Sequence, residues 1–376
     1  MINNVLITGG AGFLGSALTL RLKSKGFRVT VLDNLSRQIH GEGRDSYLYG
    51  SIKGKVKFIK GDIRDPEDCF QALRSQDAVV HMAAETGTGQ SMYEVEKYFD
   101  VNVNGTAVLL DAIKKKGSRV KKIVLASSRA VYGEGKYKCS RHGVVYPISR
   151  YEQDLGKGDF HIKCPVCHQN VDPELTDENS RIHPVSIYGL TKQIQEQMVE
   201  VSGRTMNIPV AILRYQNVYG PGQSLSNPYT GILSIFSTRM KNQNDINIFE
   251  DGQESRDFVY LDDAIQATVK AIQKEKIAGV FNVGSGIATS VLVVAQTLKD
   301  IYGSDVKINV SGHYRLGDIR HNLADLKAAK EKLGFVPRYS FKEGIRRFAD
   351  WVNAQKVMKD NYENSIEEMR KKGLYR

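Results

Sequence analysis

The amino-terminal run "NNVLITGGAGFLGSALTLRLKSKGFRVTVLDN" constrains the fold more than any other part of the chain. "VLIT" is a short apolar, partly β-branched run, and "SALTLRLKSKG" has helical spacing and ends at Gly26. "FRVTVLD" reads as the next strand. The pattern repeats: "VKFIKGD" predicts a strand, "PEDCFQALRS" a helix opened by Pro66, and "AVVHMAA" a strand. "VEKYFDVNVNGTAVLLDAIKKKG" predicts one long helix and "KKIVLASS" a strand. Strands alternating with helices imply an α/β fold, a parallel sheet covered on both faces.

The alternation breaks at Gly133. From 134 to 182 the chain is polar, with Gly, Pro, Cys and His and little apolar periodicity. A structureless loop of that length is improbable inside a compact domain, so an inserted module with its own source of stability is expected. Periodicity resumes with "SIYGLTKQIQEQMVEVSGR", a helix, and "VAILRYQNVYG", a strand. Beyond it "DDAIQATVKAIQK" predicts a helix capped by aspartates, "GVFNVGSG" a strand and "LVVAQTLKDIYG" a helix. The expected division is a doubly wound domain over 1–220, interrupted by 134–182, and a smaller α+β substrate domain over 221–376. Residues 256–286 are expected to return to the first domain.

Length and composition narrow the class. The 376 residues, 41% hydrophobic, suffice for a large core without disulfide staples. Four cysteines, three of them clustered, suit a metal site in a reducing compartment better than a disulfide framework. The start, "MINNVLITGG", runs straight into a strand with no basic segment or cleavable apolar run, and no stretch approaches a membrane span. The expected location is cytoplasmic. The formal charge of +11 is scattered, and the short runs Lys114–Lys116 and Arg370–Lys372 lack interleaved aromatics. They read as solvated faces, not as a nucleic-acid surface.

Gly9, Gly12 and Gly15 follow a strand and open a helix. A dinucleotide site needs a tight turn, close backbone approach to the pyrophosphate, and an anion at a helix N-terminus. Phe13 and Leu14 would present main-chain amides there. Asp33 ends the next strand, where a carboxylate takes the adenine ribose hydroxyls and repels a 2′-phosphate, so NAD is favoured over NADP, although Arg37 lies near. Asp62, in "GDI", could reach the adenine or could cap the helix that follows.

"YGLTK" puts Tyr188 and Lys192 four apart, on one helix face. A phenol is a poor base at neutral pH, with a pKa near ~10. A neighbouring ammonium and a positive nicotinamide would lower it. Ser128 ends a strand and could hydrogen-bond the same substrate hydroxyl. Such a pair is uninformative alone and gains meaning from the glycine turn and Asp33.

With these motifs in order, the chain resembles the extended short-chain dehydrogenase/reductases, specifically the nucleotide-sugar epimerases and dehydratases. The match is carried by "TGGAGFLG", Asp33-Asn34, "GDI" with Ile63, "HMAA" with Ala83 and Ala84, "NVNGT", "SSRAVYG", "YGLTK", "RYQNVYGPGQ", "RDFVYLDD" and "RLGDIRH". The resemblance implies a Rossmann-type fold with tightly bound NAD, a catalytic Ser128, Tyr188 and Lys192, and Asn102 near the nicotinamide. It also implies substrate contacts by Glu85, Arg129, Asn217, Arg256, Arg315 and Asp318, the distal ones on the nucleotide diphosphate. Without the family, Arg256 beside Asp257 would read as a surface ion pair. Dehydratases of the family carry an Asp-Glu pair after the catalytic Ser/Thr; here Arg129 and Ala130 stand there, so elimination lacks its acid and base. Epimerisation at C4 through a 4-keto sugar remains. The family further implies a homodimer built on the "VNGTAVLLDAI" and "YGLTKQIQEQMV" helices. A 4-ketoreductase, a UDP-hexose or UDP-uronate 4-epimerase, and a non-catalytic NAD-sensing module are the competing expectations.

Cys139-x-x-His142 and Cys164-x-x-Cys167 are two chelating pairs. Four protein ligands of this type suit one tetrahedral, structural zinc, with reduced, unliganded cysteines as the alternative. His161 and His168 are the substitutes should His142 point elsewhere. A zinc-stapled insertion between Ser128 and Tyr188 would shape or cover the sugar pocket. With "SLSNPYTGILSIFSTRM" and "EEMRKKGL", it is similar to dTDP-L-rhamnose 4-epimerase-type members of the family. Asn227, in "NPYTG", would line the pocket or merely form a turn before a helix.

Overall fold

The computed structural model describes residues 1–41, 46–115, 117–227, 229 and 231–376. Lys116 of the first basic run, and Pro228 and Thr230 of "NPYTG", lie outside the described residues. Among those described, seven strands form one parallel sheet. Their spatial order is Gly279–Val283, Val210–Tyr215, Lys122–Ser128, Ala78–His81, Asn4–Thr8, Arg28–Asp33, Lys57–Lys60. The chain starts mid-sheet, winds to one edge, then returns and winds to the other. That reversal, between Asn4–Thr8 and Ala78–His81, is where ligands bind in doubly wound sheets.

Pleating explains the apolar runs. Val5 and Ile7 face one layer, with Leu18, Leu22, Ala264 and Ile265 from helices Phe13–Ser24 and Leu261–Gln273. Leu6 faces the other, with Ala72, Leu73, Leu109, Leu110 and Val199 from helices Pro66–Leu73, Gly105–Lys114 and Ile187–Met206. A strand covered on both faces can afford no polar alternation. The predicted parallel α/β sheet is therefore the observed one.

Two local expectations are corrected, and the expected inserted module is present. The long helix is interrupted: Val95–Tyr98 and Gly105–Lys114 flank a π-turn at Phe99–Asn104. The extra residue accompanies the inward turn of Asn102, and a Cβ on Gly105 would lie 2.6 Å from Ile63 Cγ2. The aspartates do not cap Leu261–Gln273; its N-cap is Tyr260, and Asp263 instead accepts from the amides of Arg338 and Tyr339 at 3.0 Å each. The insertion has regular structure: strands Tyr137–Cys139, Gly143–Val145 and Asp172–Pro173 form an antiparallel sheet, and Glu152–Leu155 is a short helix.

Beyond the sheet, Ser255–Tyr260 pairs in parallel with Asn217–Tyr219 and His321–Asn322 and antiparallel with Ala288–Ser290. Helices Ile232–Lys241, Val291–Tyr302 and Phe341–Asn353 bury Leu233, Phe236, Leu298 and Phe348 in a separate cluster. No helix among the described residues is long and apolar enough to cross a membrane.

Candidate active site and a Cys/His cluster

The glycine turn closes against the neighbouring strand. Gly9 has φ +69°, and a Cβ there would lie 2.7 Å from the Ala83 amide nitrogen; one on Gly15 would meet Gly10 Cα at 2.7 Å. Helix Phe13–Ser24 starts at Gly12 with no side-chain cap. Its first amides, Phe13, Leu14 and Gly15, have no intrahelical acceptors and sit at the positive end of the dipole. A cradle of this kind, too tight for any Cβ and lined with free donors, fits a pyrophosphate. Asp33 buttresses the turn: its carboxylate accepts from the amides of Ala11 and Leu35, both at 2.9 Å.

Asp62 accepts from Asn34 Nδ2 at 3.0 Å and from Arg64 Nη2 at 2.8 Å, and those Arg64 bonds hold its carboxyl well below the usual carboxylate range. It does not cap the next helix. Asp65 does, accepting from the amides of Glu67 and Asp68. Ala83 and Ala84 follow the strand Ala78–His81, the Ala83 amide donating to Thr8 Oγ1 at 3.3 Å.

The helix Ile187–Met206 begins at Ser186, whose hydroxyl accepts from the Gly189 amide at 3.1 Å. It brings Tyr188 beside Ser128 at the carboxyl end of its strand. Burial raises the Tyr188 pKa, while a hydrogen bond with Ser128 and the charge of Arg129 pull it down. Without a nicotinamide, which was expected to act together with Lys192 on this phenol, burial dominates. Lys192 donates to Ala126 O at 2.9 Å, and burial pushes its pKa down to about 7 against the pull of Glu196.

Asn102 is fully buried. Its Oδ1 accepts from the Glu85 amide at 2.8 Å, and its Nδ2 donates to Glu85 O at 3.1 Å and Thr191 Oγ1 at 2.9 Å. It ties the Glu85 loop to the Tyr188 helix.

Several site residues carry no recognisable motif of their own. Tyr98 sets its ring edge-on to Tyr188 at 6.5 Å, and Ser91 Oγ accepts from the Tyr188 amide at 3.0 Å. His81 bridges Thr8 and Thr106 at 2.8 and 2.9 Å, and burial pushes its pKa down to about 3. Glu196 takes Arg214 Nη2 at 2.7 Å and Nε at 2.9 Å in a buried fork. One signal existed: Tyr188, Lys192, Gln195 and Glu196 form a polar stripe on one helix face, which reads as solvated until tertiary structure buries it.

On the opposite wall, Arg315 and Asp318 pair at 2.7 Å, and with Thr88, Gly89 and Ser186 they line a small pocket. Arg256 is no surface ion pair. It donates to the carbonyls of Ser255, Ile319 and Arg320 at 2.9, 2.7 and 3.0 Å, whereas Asp257 turns the other way to Ser285 and Gly286. Burial and the charge of Arg256 push the Arg129 guanidinium down to about 9. Asn217 Oδ1 is buried without a hydrogen-bond partner, an acceptor suited to a ligand hydroxyl or amide. Asn227 accepts from the Tyr229 amide at 3.0 Å, forming an Asx turn. Glu85 Oε2 lies 3.4 Å from Lys97 Nζ.

Cys139, His142, Cys164 and Cys167 converge, with their ligand atoms within 4.8 Å of one another. Cys139 Sγ and Cys164 Sγ each lie 3.6 Å from His142 Nδ1, and Cys139 Sγ lies 3.7 Å from Cys167 Sγ. Zinc bonds of ~2.3 Å to sulfur and ~2.0 Å to nitrogen imply tetrahedral edges of ~3.8 Å for S–S and ~3.6 Å for S–N. The substitutes are elsewhere: His161 pairs with Asp159 at 3.0 Å, and His168 contacts Tyr151.

The NAD dependent epimerase/dehydratase family model matches residues 5–153 and 165–284. A dTDP-L-rhamnose 4-epimerase of Burkholderia thailandensis is 38% identical over 95% of this chain and 96% of its own. The UDP-glucose 4-epimerase of Thermotoga maritima, solved with UDP-glucose, superposes with a TM-score of 0.75 at 31% identity, over 93% of this chain and 98% of that one. The Thermus thermophilus UDP-glucose 4-epimerase complex with NAD does so with a TM-score of 0.75 at 26% identity, over 94% and 100%. The chain belongs to the NAD dependent epimerase/dehydratase family.

Proposed function

We propose that the protein is an NAD-dependent C4 epimerase of a nucleotide diphosphate sugar, with a deoxysugar such as dTDP-L-rhamnose the preferred substrate. The observation that carries this reading is Tyr188, enclosed beside Ser128 and one turn from Lys192, at the carboxyl edge of a sheet whose glycine turn fits a dinucleotide. Gly9, Gly12, Phe13, Leu14 and Gly15 would hold the pyrophosphate. Asp33, Asn34, Asp62 and Ile63 would flank the adenosine, and Ala83 and Ala84 the nicotinamide half. When bound, NAD supplies the hydride acceptor and donor.

Tyr188 takes the proton of the C4 hydroxyl and later returns it, and Ser128 hydrogen-bonds the same oxygen. Asn102 acts by position, through Glu85 and Thr191. The sugar turns over as the 4-keto form while Arg315, Asp318, Asn217 and Arg256 keep the nucleotide diphosphate fixed. Arg129 and Ala130 leave no acid–base pair for dehydration. The relatives named above favour epimerisation, and the 38% identity with the Burkholderia enzyme favours the deoxysugar.

We assign 1–220 to the cofactor domain, 134–182 to an inserted module and 221–376 mainly to the substrate domain. The Cys139, His142, Cys164 and Cys167 geometry supports a structural zinc there. The four free cysteines suit a cytoplasmic enzyme, and the helices Gly105–Lys114 and Ile187–Met206 would form a homodimer contact.

The test is incubation with dTDP-L-rhamnose, UDP-galactose and UDP-glucuronate, without added cofactor, followed by NMR of the products. Conversion to a C4 epimer is expected. A requirement for stoichiometric NAD(P)H would identify a ketoreductase instead.

A further inference from the structure

The segment Arg315–Arg320 carries Arg315 and Asp318, assigned above to the nucleotide diphosphate moiety, yet it belongs to no helix. Such a segment needs external anchors to hold two charged side chains in fixed geometry. Its main chain is gripped from three sides. Arg256 holds the carbonyls of Ile319 and Arg320. The carboxyl-terminal residues flank it, with the Leu316 amide donating to Leu374 O at 2.9 Å and the Tyr314 amide to Arg376 O at 2.8 Å. The third grip comes from the Cys/His insertion. Arg150 Nη2 donates to Asp318 O at 2.8 Å, and Glu134 Oε2 accepts from the Arg320 amide at 2.8 Å.

Arg150 lies in sequence between the two ligand pairs, and its side chain is only 3% exposed. Its Nη1 lies 2.5 Å from Glu250 Oε2, and Glu250 is itself 2% exposed. The same carboxylate oxygen takes Arg320 Nη1 at 3.0 Å, and Arg320 grips both Asp251 oxygens at 2.7 Å. Glu250 sits at φ +51°, a conformation a side chain rarely adopts without surrounding constraint. A planar guanidinium can join a carboxylate and a carbonyl at fixed angles, which an ammonium cannot. Breaking one partner of such a buried set leaves the others uncompensated.

We infer that Arg150 is a positioning residue for the nucleotide sugar. Through Glu250 and the Asp318 main chain it couples the fold of the Cys/His insertion to the Arg315–Asp318 pair. The insertion thereby sets affinity for the nucleotide diphosphate and leaves the chemistry at Tyr188 alone. This rests on the proposed role of Arg315 and Asp318.

The test compares wild type, Arg150→Gln and Arg150→Lys. Calorimetric Kd values for dTDP and UDP are measured beside KM, kcat, bound NAD and metal content. Loss of a charge-assisted bond predicts Kd and KM raised about tenfold or more in Arg150→Gln. The kcat, NAD and metal content should stay near wild type, and Arg150→Lys should recover part of the affinity. Unchanged Kd in Arg150→Gln, or a fall in kcat at constant KM, overturns the inference. If wild type binds neither dTDP nor UDP, the diphosphate assignment itself fails. Should Arg150→Gln prove insoluble, hydrogen exchange of residues 315–320 in wild type before and after chelation decides the matter. Faster exchange supports the coupling, and unchanged exchange overturns it.

Discussion

The seven-stranded sheet and the Cys/His insertion lie within one chain but draw stability from different sources. The sheet buries whole apolar side chains on both faces, with Val5, Leu6, Ile7, Val79, Val80, Val124 and Leu125 all at zero exposure. The insertion's cluster has six buried members, Tyr137, Cys139, Val145, Ile162, Cys164 and Val171, and two of them are expected metal ligands. Leu155 and Phe160 pack apart from it against Tyr314, and Arg150 reaches Glu250 in the body of the protein; at ~25 cal/mol per Å² of apolar burial these small clusters contribute little toward the ordering of nearly fifty residues. One core should lose stability a methyl at a time, whereas the other should depend heavily on the proposed zinc.

The largest effect should come from removing the proposed zinc. Structural zinc supplies ~10 kcal/mol or more of folding free energy in small modules. A strong chelator, or Cys164→Ser, should open residues 134–182 to protease while fragments from the sheet stay intact. Uniform cleavage across the chain, or no metal by elemental analysis, would erase the contrast.

Next is the chemistry at Tyr188, on the sheet side. Tyr188→Phe removes the proton-transfer group and should lower kcat ~10²–10⁴-fold with NAD still bound. Near-normal turnover would remove Tyr188 from the mechanism. A smaller, global effect is expected in the sheet. Leu125→Ala should cost ~2–5 kcal/mol in a cooperative denaturant transition. Metal content should not change; loss of metal would show that the two cores are not independent.

The smallest effect near neutral pH concerns His81. Its folded pKa lies at about 3, below the ordinary 6.5. The unfolded chain therefore binds a proton below pH 6.5 that the folded chain refuses until about pH 3. The stability it contributes is complete above pH 6.5 and is lost as pH falls toward 3. His81→Gln, which cannot protonate, should flatten that acid limb in thermal melts; an unchanged limb would assign it to other groups.

The same contrast governs what the sequence disclosed. Short β-branched runs between helical periods made the parallel sheet legible, and the glycine turn with Asp33 located its crevice. Two spaced Cys/His pairs marked the insertion, although its strands and its short helix left no periodic trace. The π-turn at Phe99–Asn104 was hidden because its spacing is also helical. The buried links, His81 with Thr106, Glu196 with Arg214 and Arg150 with Glu250, join residues far apart in sequence. Each polar residue taken singly reads as solvated, and only the fold supplies its partner.

In the proposed reaction Tyr188 moves only the hydroxyl proton, while the hydrogen on C4 leaves and returns through bound cofactor. Turnover of dTDP-L-rhamnose, or whichever sugar proves active, should be run in D₂O and the product examined by NMR. The expected product is a C4 epimer that retains protium at C4 over many turnovers. Deuterium at C4 would show direct exchange of the carbon-bound hydrogen with solvent and would contradict it.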